Sequence, residues 1–70
     1  MERVLRLSVN GQACETFEGV SLAKLLEQMA IDASRVAVER NLAIVPRSLY
    51  ASVRLEEGDR LEIVQFVGGG

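Results

Sequence analysis

The dipeptide Asn10-Gly11 constrains the fold of this 70-residue chain more than any other feature. Both residues tolerate positive φ, which a two-residue type I′ turn requires, and the twist of that turn matches paired strands. The flanking segments have the pattern such a turn needs. From Arg3 to Val9 the chain alternates, with Leu5, Leu7 and Val9 on one side and Arg6 and Ser8 on the other. Period two marks a half-buried strand. Gln12 to Phe17 returns as its partner, so the chain opens with an antiparallel hairpin.

Glu18-Gly19 breaks the second strand, and a helix follows. Ser21 is a natural N-cap, because its hydroxyl accepts from the free N–H groups of the first turn. Val20 and Leu25 are spaced as a hydrophobic staple around it. Leu22, Leu25, Leu26 and Met29 recur at helical spacing while Lys24, Glu27 and Gln28 point away, so the helix is expected from Leu22 to Ala30. Ile31 to Arg35 reads as a connection and Val36 to Arg40 as a third strand, ended by Asn41. Leu42 to Val45 is a short fourth extension, which Pro46 stops for want of an N–H. Arg47 to Ala51 reads as a helical turn or loop, and Ser52 to Leu55 as a brief strand or bridge. Glu56-Glu57-Gly58-Asp59 has turn composition, and Arg60 to Val67 is the last strand.

One helix on one face of a mixed sheet of four to five strands is an α+β architecture. The compact arrangement with this element order is the β-grasp, in which the last strand lies centrally and parallel to the first. The division is then a β-grasp domain over 1–67 and a flexible glycine tail over 68–70. With Phe17, Tyr50 and Phe66 the only aromatics, the core must be aliphatic. Leu5, Leu7, Leu22, Leu25, Leu26, Val38, Leu61 and Ile63 are expected to form it.

Composition removes several classes of function. Eight basic and ten acidic residues are spread along the chain, with no basic block or stripe of the kind that binds nucleic acid. Met1-Glu2-Arg3 runs straight into the alternation without the apolar stretch of a signal peptide. No apolar run approaches the ~20 residues of a membrane span. A single cysteine, Cys14, makes no internal disulfide, and the expected location is the cytoplasm. Histidine is absent, which removes a catalytic triad and an ordinary zinc site. Cys14 reads as a small, partly buried apolar residue rather than a nucleophile. Glu56, Glu57 and Asp59 read as a turn rather than a calcium loop, since further oxygen ligands are lacking. Lys24 reads as a solvated residue of the helix's outer face. The expectation is a domain without metal, cofactor or catalytic residues of its own.

Chemistry therefore points to the last residues. At a background glycine frequency of ~7%, three terminal glycines arise by chance in roughly 3 chains in 10,000. Without Cβ atoms, Gly68, Gly69 and Gly70 make a thin, permissive tail that threads a narrow channel and presents a carboxylate there. Activation as an acyl-adenylate suits such a carboxylate, because no side chain walls off the reacting carbon. The plainer reading is an inert end. In the strand ahead of the tail, Leu61, Ile63 and Gln65 share one face and Glu62, Val64 and Phe66 the other. A single helix covers one face only, so Val64, Phe66 and Val67 form an exposed apolar patch for a partner. The competing arrangement folds Arg47 to Leu55 beneath the sheet and buries them. Arg47, after Pro46, reads either as a partner contact or as a solvated arginine.

The stretch Asn41-Leu42-Ala43-Ile44-Val45-Pro46-Arg47, with Val38-Glu39-Arg40 before it, resembles the central signature of the ThiS family of thiamine-biosynthetic sulfur carriers. That family also shows the Glu57-Gly58-Asp59 turn, an apolar strand ending as Phe66-Val67-Gly68-Gly69-Gly70 does here, and paired helix leucines like Leu25-Leu26. The resemblance runs over essentially the whole chain. It implies a carrier acted on by partners rather than an enzyme. A ThiF-type adenylating enzyme would use ATP and Mg²⁺ to adenylate the Gly70 carboxylate. Sulfur from a cysteine desulfurase relay would displace AMP and leave a thiocarboxylate, and a ThiG-type thiazole synthase would take that sulfur into the thiazole ring. The alternatives are the small subunit of a molybdopterin synthase, a ubiquitin-like protein modifier, and a non-catalytic interaction module. The Val45-Pro46-Arg47 element favours the thiazole branch.

Overall fold

The computed structural model describes residues 3–66. Its hairpin is the expected one: strand β1 (Val4–Val9) pairs antiparallel with β2 (Gln12–Phe17), Leu7 opposite Cys14 and Val9 opposite Gln12. Asn10 and Gly11 take φ of 52° and 81°, the left-handed pair that the turn demands.

Helix α1 (Leu22–Gln28) starts where the N-cap places it, with the Ser21 hydroxyl accepting from the Lys24 N–H at 3.1 Å. It stops two residues short of the expected Ala30. Ala30 swings to φ 59°, and the N–H groups of Ala30 and Ile31 turn back to the carbonyls of Glu27 and Leu26 at 3.0 and 2.9 Å. This is a Schellman ending with alanine in the place glycine usually takes. Met29 therefore closes the helix half-exposed, instead of completing the apolar stripe.

A 3₁₀ turn (Ala33–Arg35) leads into β3 (Val36–Arg40), and β4 (Ala43–Val45) folds back on it. The two residues between them, Asn41 and Leu42, have φ of 52° and 73°, so this is a second tight hairpin of the same kind as the first. After Pro46, a second 3₁₀ turn (Arg47–Leu49) and an irregular stretch cross back to β5 (Arg60–Gln65). The stretch touches the helix start through a bridge between Ser21 and Arg54.

The five strands lie in the order β2-β1-β5-β3-β4. β5 is central, parallel to β1 and antiparallel to β3, as a β-grasp requires. The helix covers one face, and between the two lie Leu5, Leu7, Val9, Leu22, Leu25, Leu26, Val36, Val38 and Leu61. Ile63, expected in the core, only packs against its edge. Tyr50 and Leu55, from the irregular stretch, are fully part of the core. That stretch packs on the helix side: Ala23 N–H donates to the Tyr50 carbonyl at 2.8 Å, and Leu22 N–H to Val53 at 3.0 Å. It does not fold beneath the sheet, so the opposite sheet face stays open. No helix among the described residues is long and apolar enough to cross a membrane.

Candidate functional site

β5 positions everything that follows, and three devices fix it. At its start, Asp59 is buried and accepts from Arg40 Nε at 2.9 Å, Asn41 Nδ2 at 3.1 Å and the Glu56 N–H at 2.8 Å. Burial alone would push this carboxyl up; the three donors outweigh it and hold it below its ordinary value. Asn41 completes the latch by accepting the Arg60 N–H at 2.9 Å. Along its middle, the carboxamide of Asn10 bonds the backbone of Ile63 and so prolongs the β1 side of the ladder past the turn. At its end, the Phe66 N–H donates to the Arg35 carbonyl at 2.8 Å. The last described residue is thus held against the 3₁₀ turn that leads into β3.

On the open face, register decides which side chains meet. Val64 opposes Ala37, Glu62 opposes Glu39, and Glu39 in turn opposes Ile44 on β4. Val64 is 61% exposed, Phe66 56% and Ile44 66%, which makes this face apolar and uncovered in the isolated chain. A shallow groove of ≈ 220 Å³ runs across β3, lined by Phe66 on one side and Ile44, Pro46 and Arg47 on the other, with Ala37 beneath. The small Ala37 side chain between larger neighbours gives the groove its depth.

Of the residues singled out from the sequence, Phe66 and Arg47 meet on this groove although 19 positions apart, and Val64 shares the face. Arg47 is exposed, yet its guanidinium donates to the carbonyls of Ala33 at 3.2 Å and Val36 at 3.4 Å. It ties the second 3₁₀ turn to the start of β3 and walls the groove. Val67, Gly68, Gly69 and Gly70 lie outside the described residues. Ala37 was not singled out, and Ile44 and Pro46 were named for the family resemblance rather than as site residues. The parity of β4 was the available signal, since Val45 faces the core and its neighbour Ile44 must then face away. Among the described residues no group of three or more His, Cys, Asp or Glu is placed to hold a metal ion.

The fold is shared with solved structures. The thiamine biosynthesis protein ThiS from Geobacter metallireducens superposes with a TM-score of 0.81 at 29% identity, over 94% of this chain and 100% of that one. In sequence, the sulfur carrier protein ThiS of Escherichia coli is 30% identical over 66 residues, covering 94% of this chain and all of that protein. A thiazole synthase of Paramagnetospirillum magneticum is 46% identical over 66 residues. There the chain spans only 20% of the relative's length. The family model for ThiS matches residues 7–70, from β1 through the terminal glycines. With model, fold and relatives in agreement, this chain belongs to the ThiS family.

Proposed function

We propose that this domain is a sulfur carrier for thiazole formation in thiamine biosynthesis, loaded at the carboxylate of Gly70. One observation supports this reading above others: the central strand ends at Gln65, and the next residue, Phe66, lies on the rim of an open apolar groove four residues ahead of Gly70. At ~3.5 Å per extended residue, the carboxylate reaches no more than ~14 Å from the domain. An enzyme that acts on it must come within that distance of the Phe66 end of the domain, so the body of the carrier serves as the handle and the tail as the substrate.

In this reading a ThiF-type enzyme, using ATP and Mg²⁺, joins AMP to the Gly70 carboxylate and releases pyrophosphate. A cysteine desulfurase relay supplies the sulfur that displaces AMP, leaving an acyl thiolate. Gly68 and Gly69 thread the channel of the partner, and Val64, Phe66, Val67 and Arg47 face it. The carrier needs no cofactor of its own and performs no catalysis. The carrier would act in the cytoplasm, where ATP and the relay are at hand. A thiazole synthase is the natural recipient, because a protein of that name carries a segment 46% identical to this chain as a fifth of its length. The tethering of such a segment in one polypeptide would keep the sulfur donor at high effective concentration.

Tail truncation tests the reading. Protein lacking Gly70, or Gly69 and Gly70, should melt as the full chain does, because no apolar side chain is removed. It should lose ATP–pyrophosphate exchange with the adenylating enzyme, as the reacting group is misplaced by ~3.5 Å per residue. Normal exchange by the truncated protein would refute the carrier function. Intact mass of the protein from its native cells should in addition show a species with one oxygen replaced by sulfur.

A further inference from the structure

The chain has two asparagines, Asn10 and Asn41, and each opens a two-residue turn with φ of 52°. Each carboxamide is bonded through both its polar atoms: Asn10 to the backbone of Ile63, Asn41 to Asp59 Oδ1 and the Arg60 N–H. They differ in the residue that follows. Asparagine is chemically labile, because the next backbone nitrogen can attack its side-chain carbonyl carbon. A side chain on that next residue obstructs the attack. Leu42 supplies one after Asn41. Gly11 supplies none after Asn10, and nothing lies within 4 Å of the place where its Cβ would stand. Asn10 and Gly11 are both exposed, so water reaches the pair. The Gly11 N–H donates to no backbone acceptor among the described residues.

We propose that Asn10 is a site of spontaneous deamidation, held closed by its two hydrogen bonds to Ile63 and converted irreversibly when they open. In the reaction the Gly11 nitrogen bonds to Asn10 Cγ as the Cγ–Nδ2 bond breaks, and ammonia leaves with the proton that the nitrogen gives up. Water then opens the five-membered imide at either carbonyl, which leaves aspartate or isoaspartate; water is the only other reactant. In the closed state Nδ2 donates to the Ile63 carbonyl at 3.1 Å and Oδ1 accepts the Ile63 N–H at 2.7 Å. The carboxamide cannot turn onto the Gly11 nitrogen without breaking both bonds, so the rate follows the population of the opened clip. The product does not close again. Aspartate has no donor for the Ile63 carbonyl and sets an oxygen against it, which leaves that acceptor unmatched. Isoaspartate adds a methylene to the backbone of a turn built for two ordinary residues. Ile63 lies three residues before Phe66, so the lost clip loosens β5 close to the tail. A molecule that has opened for long enough is thereby marked for good.

The experiment incubates the full chain at one temperature and mildly alkaline pH, folded in buffer and unfolded in urea, beside a synthetic peptide of residues 6–15. Peptide-mapping mass spectrometry reads amide-to-acid conversion at both asparagines, and hydrogen exchange reads the Ile63 amide. In the unfolded chain Asn10 should convert at the rate of the peptide, and in the folded chain about tenfold more slowly or less still. Asn41 should stay largely intact while unfolded Asn10 converts. The deamidated fraction, separated by its added negative charge, should lose about tenfold or more of the protection of the Ile63 amide. Conversion of folded Asn10 at the rate of the peptide overturns the gating by Ile63. Absence of conversion in urea, or equal conversion at Asn41, overturns the site. An Ile63 amide as well protected in the deamidated fraction as in the parent overturns the irreversible release of β5.

Discussion

Asn10 stands in for a strand residue opposite Ile63: its Oδ1 accepts the Ile63 N–H at 2.7 Å and its Nδ2 donates to the Ile63 carbonyl at 3.1 Å. β1 leaves the sheet at the turn, yet β5 keeps a bonded neighbour for one more step. The turn residue therefore has two tasks, positive φ and a side-chain amide. Asn10→Gly keeps the first and removes the second. The loss of two bonds should cost about 1–2 kcal/mol by chemical denaturation, and the Ile63 amide should lose protection in hydrogen exchange.

Asp59 makes the stability of the domain depend on acid. Its folded-state pKa lies below the ordinary value near 3.8, so the folded state favours the charged form. Its contribution is complete above the unfolded pKa and is lost as pH falls through the folded one. Stability measured across pH 2 to 6 should drop steeply below about pH 4. Asp59→Asn should flatten that drop and cost roughly 1–3 kcal/mol at pH 7, where Arg40 loses its charged acceptor.

Two non-glycine residues hold left-handed backbone at sharp endings, Ala30 with φ 59° and Leu42 with φ 73°. A Cβ in that region costs about 1–2 kcal/mol, partly offset by the greater chain entropy of unfolded glycine. Ala30→Gly and Leu42→Gly should each stabilise the domain by ~0.5–1 kcal/mol, seen as a rise of a few degrees in Tm. Leu42 is also 90% exposed, so its replacement removes no buried surface.

Phe66 should matter to binding and little to folding. Phe66→Asp should leave the melting temperature near that of the parent, since more than half the ring is already in water. It should weaken binding to the adenylating enzyme by ~2 kcal/mol, the cost of losing an aromatic anchor at an interface.

The legible parts of this molecule are those with a short period. Alternation placed β1 and β5, and the Asn10-Gly11 turn placed β2 as the partner of β1. Ser21 and the leucine spacing fixed the start and buried face of α1. The end of α1 was misjudged because Ala30 takes a conformation usually signalled by glycine, and the second hairpin stayed hidden because Leu42 occupies the position where glycine is expected. Tyr50 and Leu55 were missed for another reason: residues 46–59 are irregular and carry no parity, so only tertiary contacts decide which of them are buried. Asp59 looked like a turn residue, and its role as a hub comes from Arg40 and Asn41, nearly twenty positions away. The open face was half legible. Parity in β5 exposed Val64 and Phe66, but that they share a groove with Arg47 and Ile44 depends on how β4 folds against β3.

The placement of β5 between β1 and β3 has a mechanical consequence. In the carrier reading proposed above, an enzyme that grips the tail would pull along the axis of this strand, with the ladders on both sides parallel to the pull. Their hydrogen bonds lie across it and resist together in shear, where an edge strand would peel away one bond at a time. In that reading the handle would stay rigid while its end is drawn into a channel and released again.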